Sequence, residues 1–242
     1  MIVKTRGVVL HYIKYSDSSG IVNVFTQQAG RQSYMVRGIN KGRKVMRNAM
    51  FQSLTILDLE GSHSSKREVQ QLKNCTLGYV PTTTNFSPAK SSVAIFLAEV
   101  LNSALHEDAP DQGLYDFIEK SIISLDQAEG SIANFHIMFL AKLTRFLGFG
   151  PTVPESENEL VFDLSNGVFG QVPPVSGEYA SQASSRLLAL FLQTPFHEMG
   201  KIKLEKGERR DLLGLLLKYY SLHVPGFRKI NSTAILYDLF EL

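Results

Sequence analysis

The chain of 242 residues contains a single cysteine, Cys75. One thiol excludes an intramolecular disulfide and a zinc site built from four thiolates, and we interpret such low cysteine usage as a sign of a reducing compartment. No apolar run approaches the roughly 20 residues that a membrane-spanning helix needs. No cationic segment followed by a long apolar core marks a signal peptide at the amino end. We therefore expect a cytoplasmic protein that does not associate with membranes.

The motifs of several common enzyme classes are also missing. The sequence has no GxxxxGK[ST] phosphate loop, no GxGxxG helix start, no HExxH and no GxSxG. The six histidines lack the spacing of metal ligands, and His136 on an apolar face is best interpreted as a core residue. The pair Glu155 and Glu157 lies among acids and prolines, where solvation is the simpler interpretation. We expect a protein that is not an enzyme and that holds neither a cofactor nor a metal ion.

Acidic residues are scarce at the amino end. Asp17 is the only carboxylate among residues 1–50, against nine lysines and arginines. Residues 1–80 carry an excess of eight positive charges, whereas residues 81–242 carry an excess of six negative charges. This asymmetry predicts two domains, 1–80 and 81–242, with different partners. A field as basic as that of the first domain attracts polyanions and makes their binding sensitive to salt.

The positive charge is densest in residues 38–47, the basic loop, which contains two glycines and follows a strand-like alternation over residues 31–37. A solvated loop that resists aggregation is an equally simple interpretation. Tyr12, Tyr15, Tyr34 and Phe51 would offer surfaces on which bases stack, although such residues more often fill a barrel core. The candidate nucleic-acid contacts of the first domain are Arg6, Arg31, Arg37, Lys41, Arg43, Lys44 and Arg47.

Five strand patterns precede residue 80, over residues 4–15, 20–27, 31–37, 51–59 and 68–77. Tyr34 and Val36 fall on one face of the third strand. Five short strands separated by turn signals suit a small barrel or sandwich, and a five-stranded barrel that binds nucleic acid is the OB-fold.

Residues 80–88 form a bridge rich in proline and threonine, and helical periodicity follows it. Ser87 or Ser91 would cap the first helix, and further helices are predicted over residues 112–125, 131–147, 181–193 and 206–223, with a last one after Asn231. Four prolines interrupt residues 151–176, where the Asn166-Gly167 pair predicts a small β-ribbon. The expected architecture is an N-terminal five-stranded OB-fold barrel followed by an all-helical domain with an inserted ribbon.

The order of several loose motifs resembles the RecO family of bacterial recombination mediators. In the first domain these motifs are Thr5-Arg6-Gly7-Val8-Val9-Leu10, the turn before Arg31, Arg37-Gly38 with the basic loop, and the strand that ends at Leu59-Glu60. In the second they are Ala98-Glu99-Val100-Leu101, the helix end at Leu143–Pro151, the ribbon at Asp163–Phe169, and the segment His223–Ser232. The resemblance covers essentially the whole chain.

The resemblance implies a non-enzymatic DNA repair protein of the bacterial nucleoid. Such proteins bind single- and double-stranded DNA, anneal complementary strands, and associate with RecR and with the acidic carboxyl-terminal tail of single-stranded-DNA-binding protein to help load RecA. Lys142, Arg145, Arg209 and Arg210 are the candidate contacts for that tail. The alternatives are an OB-fold accessory that binds RNA or tRNA, with a hydrolytic activity, and a protein-binding scaffold.

The ribbon departs from the pattern of the family. Many members carry CxxC pairs that flank the ribbon and bind zinc, but residues 154–159 and 170–174 contain no cysteine. We therefore expect packing of Leu160, Phe162, Val168 and Phe169 to hold the ribbon in place of a metal ion. Chelators should not unfold this protein.

Overall fold

The structure is a computed structural model that describes residues 1–16, 19–37, 49–64, 66–106, 109–154, 160–175 and 177–240. The chain divides into two compact units, residues 1–127 and residues 128–242. The boundary at residue 80 between the two domains of the sequence analysis stays a prediction. Among the described residues, no helix is long and apolar enough to cross a membrane.

The first unit begins with a closed five-stranded barrel. Its strands are β1 (Ile2–Ser16), β2 (Ser19–Thr26), β3 (Gly30–Arg37), β4 (Ile56–Ser62) and β5 (Val69–Leu77). They follow one another around the barrel in the order β1-β2-β3-β5-β4, and β1 closes it against β4. Only β3 and β5 pair in parallel, over three residues of each strand. This is the predicted OB-fold barrel, with a first strand long enough to pair with both of its neighbours.

The interior of the barrel explains one error of the sequence analysis. The predicted strand over residues 51–59 is wrong in its first half, because β4 begins at Ile56. Leu54 has a φ of 61°, a left-handed conformation that does not continue a strand. Phe51 and Leu54 are buried, and the Phe51 ring packs with Val24 and Tyr34 in the barrel core. The apolar pattern therefore reflects a segment that fills the barrel and not a longer strand.

Two helices complete the first unit. They are α1 (Pro88–Ala104) and α2 (Gln112–Gln127). Ser87 caps α1, since its side chain accepts a hydrogen bond from the Lys90 backbone, and a proline in the first turn suits the start of a helix.

The bridge before α1 is fixed by Asp126, near the end of α2. Its buried carboxylate accepts hydrogen bonds from the backbone N–H groups of Thr82, Thr83 and Thr84 at 2.8, 2.9 and 2.7 Å. The hydroxyls of Thr82 and Thr84 and of Tyr79 also donate to it. Burial alone would raise the pKa of Asp126, but the backbone hydrogen bonds lower it far below its ordinary value. We call this arrangement the threonine clasp.

The second unit is mainly helical. Its helices are α3 (Phe135–Phe146), α4 (Gln182–Gln193), α5 (Lys206–His223) and α6 (Thr233–Phe240), and a short 3-10 helix at Phe196–Lys201 was not predicted. The helix predicted from Ser131 begins only at Phe135. The Asn134 side chain just before it donates to the Ile202 carbonyl and accepts from Arg209, so its contacts are tertiary.

The predicted ribbon consists of β6 (Val161–Asp163) and β7 (Val168–Gly170). Gly167 has a φ of +68° in the turn, and a Cβ there would lie 2.5 Å from the Tyr219 hydroxyl, so glycine is required. Phe162 is fully buried and its ring centroid lies 5.2 Å from that of Tyr219. Val168, however, is 40% exposed. The expectation that Val168 holds the ribbon is wrong, because its side chain projects from the outer strand.

Candidate nucleic-acid interface

One end of the barrel gathers exposed side chains of β1, β2 and β3. Ser19 pairs with Arg37, and Gly20 pairs with both Lys14 and Val36, so that Lys14 and Arg37 lie at the same end. Both are exposed, and Tyr15 beside them is 71% exposed. The hydroxyls of Ser16 and Ser19, which are paired between β1 and β2, lie 2.6 Å apart. We call Lys14, Tyr15, Ser16, Ser19 and Arg37 the hairpin end.

An apolar row borders the hairpin end. Ile13 pairs with Ile21, which pairs with Met35, and directly paired residues project from the same side of a sheet. Ile13 is 48% exposed, while Ile21 and Met35 are half-buried. Sequence analysis missed this row. In β1 the available signal was the alternation of Ile13 and Tyr15 with the polar Lys14 and Ser16. Such alternation does not show which of its two faces points into a barrel and which points outward.

Four of the predicted contacts, Lys41, Arg43, Lys44 and Arg47, lie outside the described residues. The basic loop that contains them directly follows Arg37 in the chain. The structure therefore places only Arg37 of the predicted set at the hairpin end.

Arg6 lies elsewhere and meets protein partners. Its guanidinium donates to the carboxylate of Asp58 at 3.0 Å, to that of Glu119 at 3.1 Å and to the Gly78 carbonyl at 3.2 Å. The hydrogen bond to Asp58 is the main reason that the pKa of Arg6 rises above its ordinary value. These contacts join β1 to β4 and α2.

Arg31 is similarly engaged. Its guanidinium donates to the Leu105 carbonyl, just after the end of α1, at 2.7 Å and to the Asn102 side-chain oxygen at 3.1 Å. A cation at a helix carboxyl end is favourable, because the last carbonyls lack partners within the helix. Arg31 and Arg37 are six residues apart on one strand, about 20 Å at 3.3 Å per residue. The two arginines thus lie at opposite ends of β3.

Of the aromatic residues considered for base stacking, only Tyr15 is well exposed. Tyr34 and Phe51 are buried in the barrel core, the location that such aromatic residues more often have. Tyr12 stacks on Phe51 with ring centroids 5.6 Å apart. The Tyr34 hydroxyl lies 2.6 Å from Nε2 of His63, and burial raises the pKa of this tyrosine.

The four predicted tail contacts lie in the second unit and differ in exposure. Lys142 donates to the Leu192 carbonyl at 2.7 Å, and partial burial lowers its pKa. Arg209 donates to Asn134 and to the Leu204 carbonyl. Arg145 and Arg210 are exposed. The Arg210 guanidinium lies 5.5 Å from the centre of the Tyr237 ring.

The hairpin end has the chemistry of a surface that binds polyanions without reading sequence. It offers exposed cations for phosphates, an exposed tyrosine for stacking and a neighbouring apolar row, and the basic loop follows Arg37 in the sequence. Within the described ranges, no three His, Cys, Asp or Glu side chains are grouped so as to hold a metal ion.

Comparison with known families decides the relationship. Residues 1–79 match the family described as Recombination protein O N terminal, and residues 85–232 match Recombination protein O C terminal. The chain belongs to the RecO family. The OB-fold barrel and the helical region with its ribbon are therefore those of a RecO-family DNA repair protein.

Curated relatives align over their full length. The DNA repair protein RecO of Azobacteroides pseudotrichonymphae is 34% identical over 242 residues, which is 100% of both chains. That of Phocaeicola vulgatus is 32% identical over 241 residues, again 100% of both chains. That of Christiangramia forsetii is 34% identical over 242 residues, covering 99% of this chain and 100% of the relative.

Proposed function

We propose that this RecO-family protein is a non-enzymatic recombination mediator that binds single- and double-stranded DNA and anneals complementary strands. Together with RecR, it would help load RecA onto DNA coated by single-stranded-DNA-binding protein at the bacterial nucleoid. The observation that carries the proposal is the hairpin end, where Arg37, the last residue before the basic loop in the sequence, lies at the same end of the barrel as the exposed Tyr15.

Annealing needs a surface that reduces the repulsion between two phosphate backbones. Lysine and arginine side chains supply that charge, and binding releases the counterions that surround DNA. An exposed aromatic ring accepts any base, because every base has a π-face. The proposed DNA contacts are accordingly Tyr15 with Arg37, Lys41, Arg43, Lys44 and Arg47.

Arg6 and Arg31 take a structural role in this proposal. Their guanidinium groups already donate to Asp58, Glu119 and the Leu105 carbonyl inside the first unit. Contact with a phosphate would compete with these hydrogen bonds. We therefore assign both arginines to the attachment of α1 and α2 to the barrel.

The acidic tail of single-stranded-DNA-binding protein requires a cation beside apolar surface. Arg145 near the end of α3 meets this requirement, because it is exposed and the next residue, Phe146, is 40% exposed. Lys142 and Arg209, which donate to backbone carbonyls, contribute less directly in this proposal.

Charge reversal at the hairpin end tests the DNA-binding role. Each cation that neutralises a phosphate of single-stranded DNA contributes about 0.7 to the slope of log K against log salt, which is about fivefold in affinity near 0.1 M salt. We expect Arg37→Glu to weaken binding of a dT oligonucleotide by about fivefold and Lys41→Glu/Arg43→Glu/Lys44→Glu by about 100-fold. Fluorescence anisotropy across a salt series measures both the affinity and the slope.

Lys120→Glu is the matched control, since Lys120 is exposed on α2 of the same unit and the charge change is identical. It should leave affinity, slope and strand annealing unchanged. Unaltered binding by the folded loop variant would remove the basic loop from the mechanism. Absence of any salt-sensitive DNA binding by the unmodified protein would favour a protein-binding scaffold instead.

A further inference from the structure

A cleft of about 670 Å³ opens on the first unit beside the start of β3, where Arg31 lies. Its walls are the first residues of β3, the connection from β4 to β5, and the residues that follow α1. We call it the β3 cleft. It is separate from the hairpin end, because Arg31 and Arg37 lie at opposite ends of β3.

Basic groups dominate the lining of the β3 cleft. They are the Met1 amino group and the side chains of Arg31, His63, Arg67 and His106. Among the described residues of the lining, Glu68 is the one acid. Arg67 and His106 are exposed, and their side chains make no hydrogen bond or ion pair within the part of the chain that the structure describes. A concave surface with so little negative charge attracts anions.

The backbone that carries Arg67 is held in place by Gln70, a buried residue of β5. The Gln70 side chain accepts a hydrogen bond from the Ser64 backbone N–H at 2.9 Å and donates to the Arg67 carbonyl at 2.8 Å. On the opposite wall, the contacts of Arg31 with the Leu105 carbonyl fix its guanidinium just after α1. Charges on fixed walls bind a ligand without a large cost in lost freedom.

His63 makes the cleft responsive to protons. Its Nε2 lies 2.6 Å from the Tyr34 hydroxyl, and the Met1 amino group donates to its carbonyl at 2.9 Å. Burial, and then the positive charge of that amino group, lower the pKa of His63. An anion in the cleft would offset the positive charge and favour the protonated imidazole. The other charged groups that line the cleft with His63 are Arg31, Arg67, Glu68 and His106.

We propose that the β3 cleft binds a compact dianionic oxyanion, either free phosphate or the phosphate of a small phosphomonoester. Arg67 and His106 would donate to its oxygens, and Arg31 would contribute charge from the wall. No phenylalanine, tyrosine or tryptophan lies among the described residues of the lining, so a nucleic-acid base would find no ring to stack on. A phosphomonoester carries about 1.5 to 2 negative charges near pH 7, more than a single phosphate of a DNA backbone. The proposal does not depend on DNA binding.

The test follows the histidine side chains of the full chain by NMR while sodium sulfate is added, with sodium chloride at equal ionic strength as the control. Sulfate keeps both charges over the range in which histidine titrates, so any pH dependence comes from the protein. We expect saturable shifts of His63 and His106 with sulfate alone, and none at His197 in the second unit. The affinity for sulfate should increase by about tenfold from pH 8 to pH 5, because the bound anion raises the pKa of His63.

Two further ligands distinguish the sources of the anion. Inorganic phosphate and ribose 5-phosphate should both displace sulfate at pH 7. Tighter binding of ribose 5-phosphate would identify a phosphomonoester as the ligand, and tighter binding of phosphate would identify the free ion.

Two variants and a matched control locate the site. Arg67→Glu reverses a charge on one wall and should weaken sulfate binding by about tenfold. His106→Gln removes a charge from another wall and should weaken it by about threefold at pH 6. Arg186→Glu makes the first change at an exposed position of α4 in the second unit and should have no effect. If Arg67→Glu does not fold, as judged by circular dichroism, His106→Gln alone decides.

Three results would overturn the proposal. The first is an equal response to sulfate and chloride, which would indicate a general effect of salt. The second is an affinity for sulfate that neither cleft variant changes, or that stays constant from pH 8 to pH 5. The third is displacement of sulfate by a dT oligonucleotide whose own binding Arg67→Glu weakens, since a DNA backbone would then be the occupant. The hairpin-end variant Arg37→Glu should bind sulfate like the unmodified protein, so this test and that of the proposed function fail separately.

Discussion

Replacement of Asp126 by asparagine tests whether the threonine clasp stabilises the first unit. The carboxylate is buried and accepts three backbone N–H groups at 2.7 to 2.9 Å. An asparagine of the same shape would point its side-chain NH₂ group at some of these backbone N–H groups, which would then lack an acceptor. Hydrogen bonds to a charged group contribute about 1.5–3 kcal/mol each, and an unpaired buried donor costs about 1–3 kcal/mol. We expect Asp126→Asn to lower the free energy of unfolding by about 3 kcal/mol.

The loss of unfolding free energy in Asp126→Asn should decrease as the pH falls. The pKa of Asp126 is lowered in the folded protein, so its contribution to stability is complete above the ordinary aspartate pKa of about 4 and is lost as pH falls below it. Each pH unit below about 4 removes up to about 1.4 kcal/mol from the unmodified protein until the folded pKa is reached. The asparagine variant has no such group. The difference in unfolding free energy between the two proteins should therefore decrease by about 1 kcal/mol from pH 5 to pH 3.

Urea unfolding followed by far-ultraviolet circular dichroism measures both quantities. Asp116→Asn is the matched control on the same helix, because Asp116 makes its side-chain hydrogen bond with Gln112 at the surface. It should change the unfolding free energy by less than about 0.5 kcal/mol. Two results would refute the reasoning. One is an unfolding free energy of Asp126→Asn within about 0.5 kcal/mol of that of the unmodified protein. The other is a difference in unfolding free energy that stays constant from pH 6 to pH 3.

Two further substitutions test the ribbon and the role of Arg31. Gly167→Ala should lower the unfolding free energy by about 2 kcal/mol or more, because the φ of +68° and the 2.5 Å approach of its Cβ to the Tyr219 hydroxyl both oppose a side chain. Thermal unfolding measures this, and an unchanged midpoint would contradict the glycine requirement. Arg31→Met should destabilise the first unit by about 2 kcal/mol through loss of its hydrogen bond to the Leu105 carbonyl, while oligonucleotide affinity in anisotropy stays the same. A fivefold weaker oligonucleotide affinity in the folded Arg31→Met variant would instead indicate that Arg31 contacts DNA.

The sequence predicted elements well where one periodicity dominated. The bounds of α5, Lys206–His223, are those predicted, because its leucines mark a broad buried face. The segment at Phe51 and Leu54 was misread because an apolar residue that fills a barrel looks the same in sequence as one in a strand. The structure separates the two, because residues 51–54 form turns and Leu54 has a left-handed φ, and neither feature can be recognised in the sequence.

The candidate sites were harder to predict because charge counts carry no tertiary information. Arg6 and Arg37 contribute equally to the excess of positive charge, but the pairing of β1 with β4 brings Asp58 to Arg6. No count could assign Glu119, which is 113 residues away in the chain. In the same way, the negative balance of residues 81–242 concealed the exposed cations Arg228 and Lys229.

Helix α5 connects two features of the second unit that the sequence presented as separate. One face contacts the ribbon, since Tyr219 packs on Phe162 and His223 donates through Nε2 to the Leu164 carbonyl at 2.7 Å. Tyr220 of the same helix donates through its hydroxyl to the Leu140 carbonyl of α3 at 2.9 Å. The ribbon therefore has side-chain anchors on a helix, Tyr219 and His223 of α5. Because the same helix contacts both the ribbon and α3, a substitution in the ribbon turn such as Gly167→Ala, whose Cβ would approach Tyr219, acts on a helix that joins two parts of the second unit.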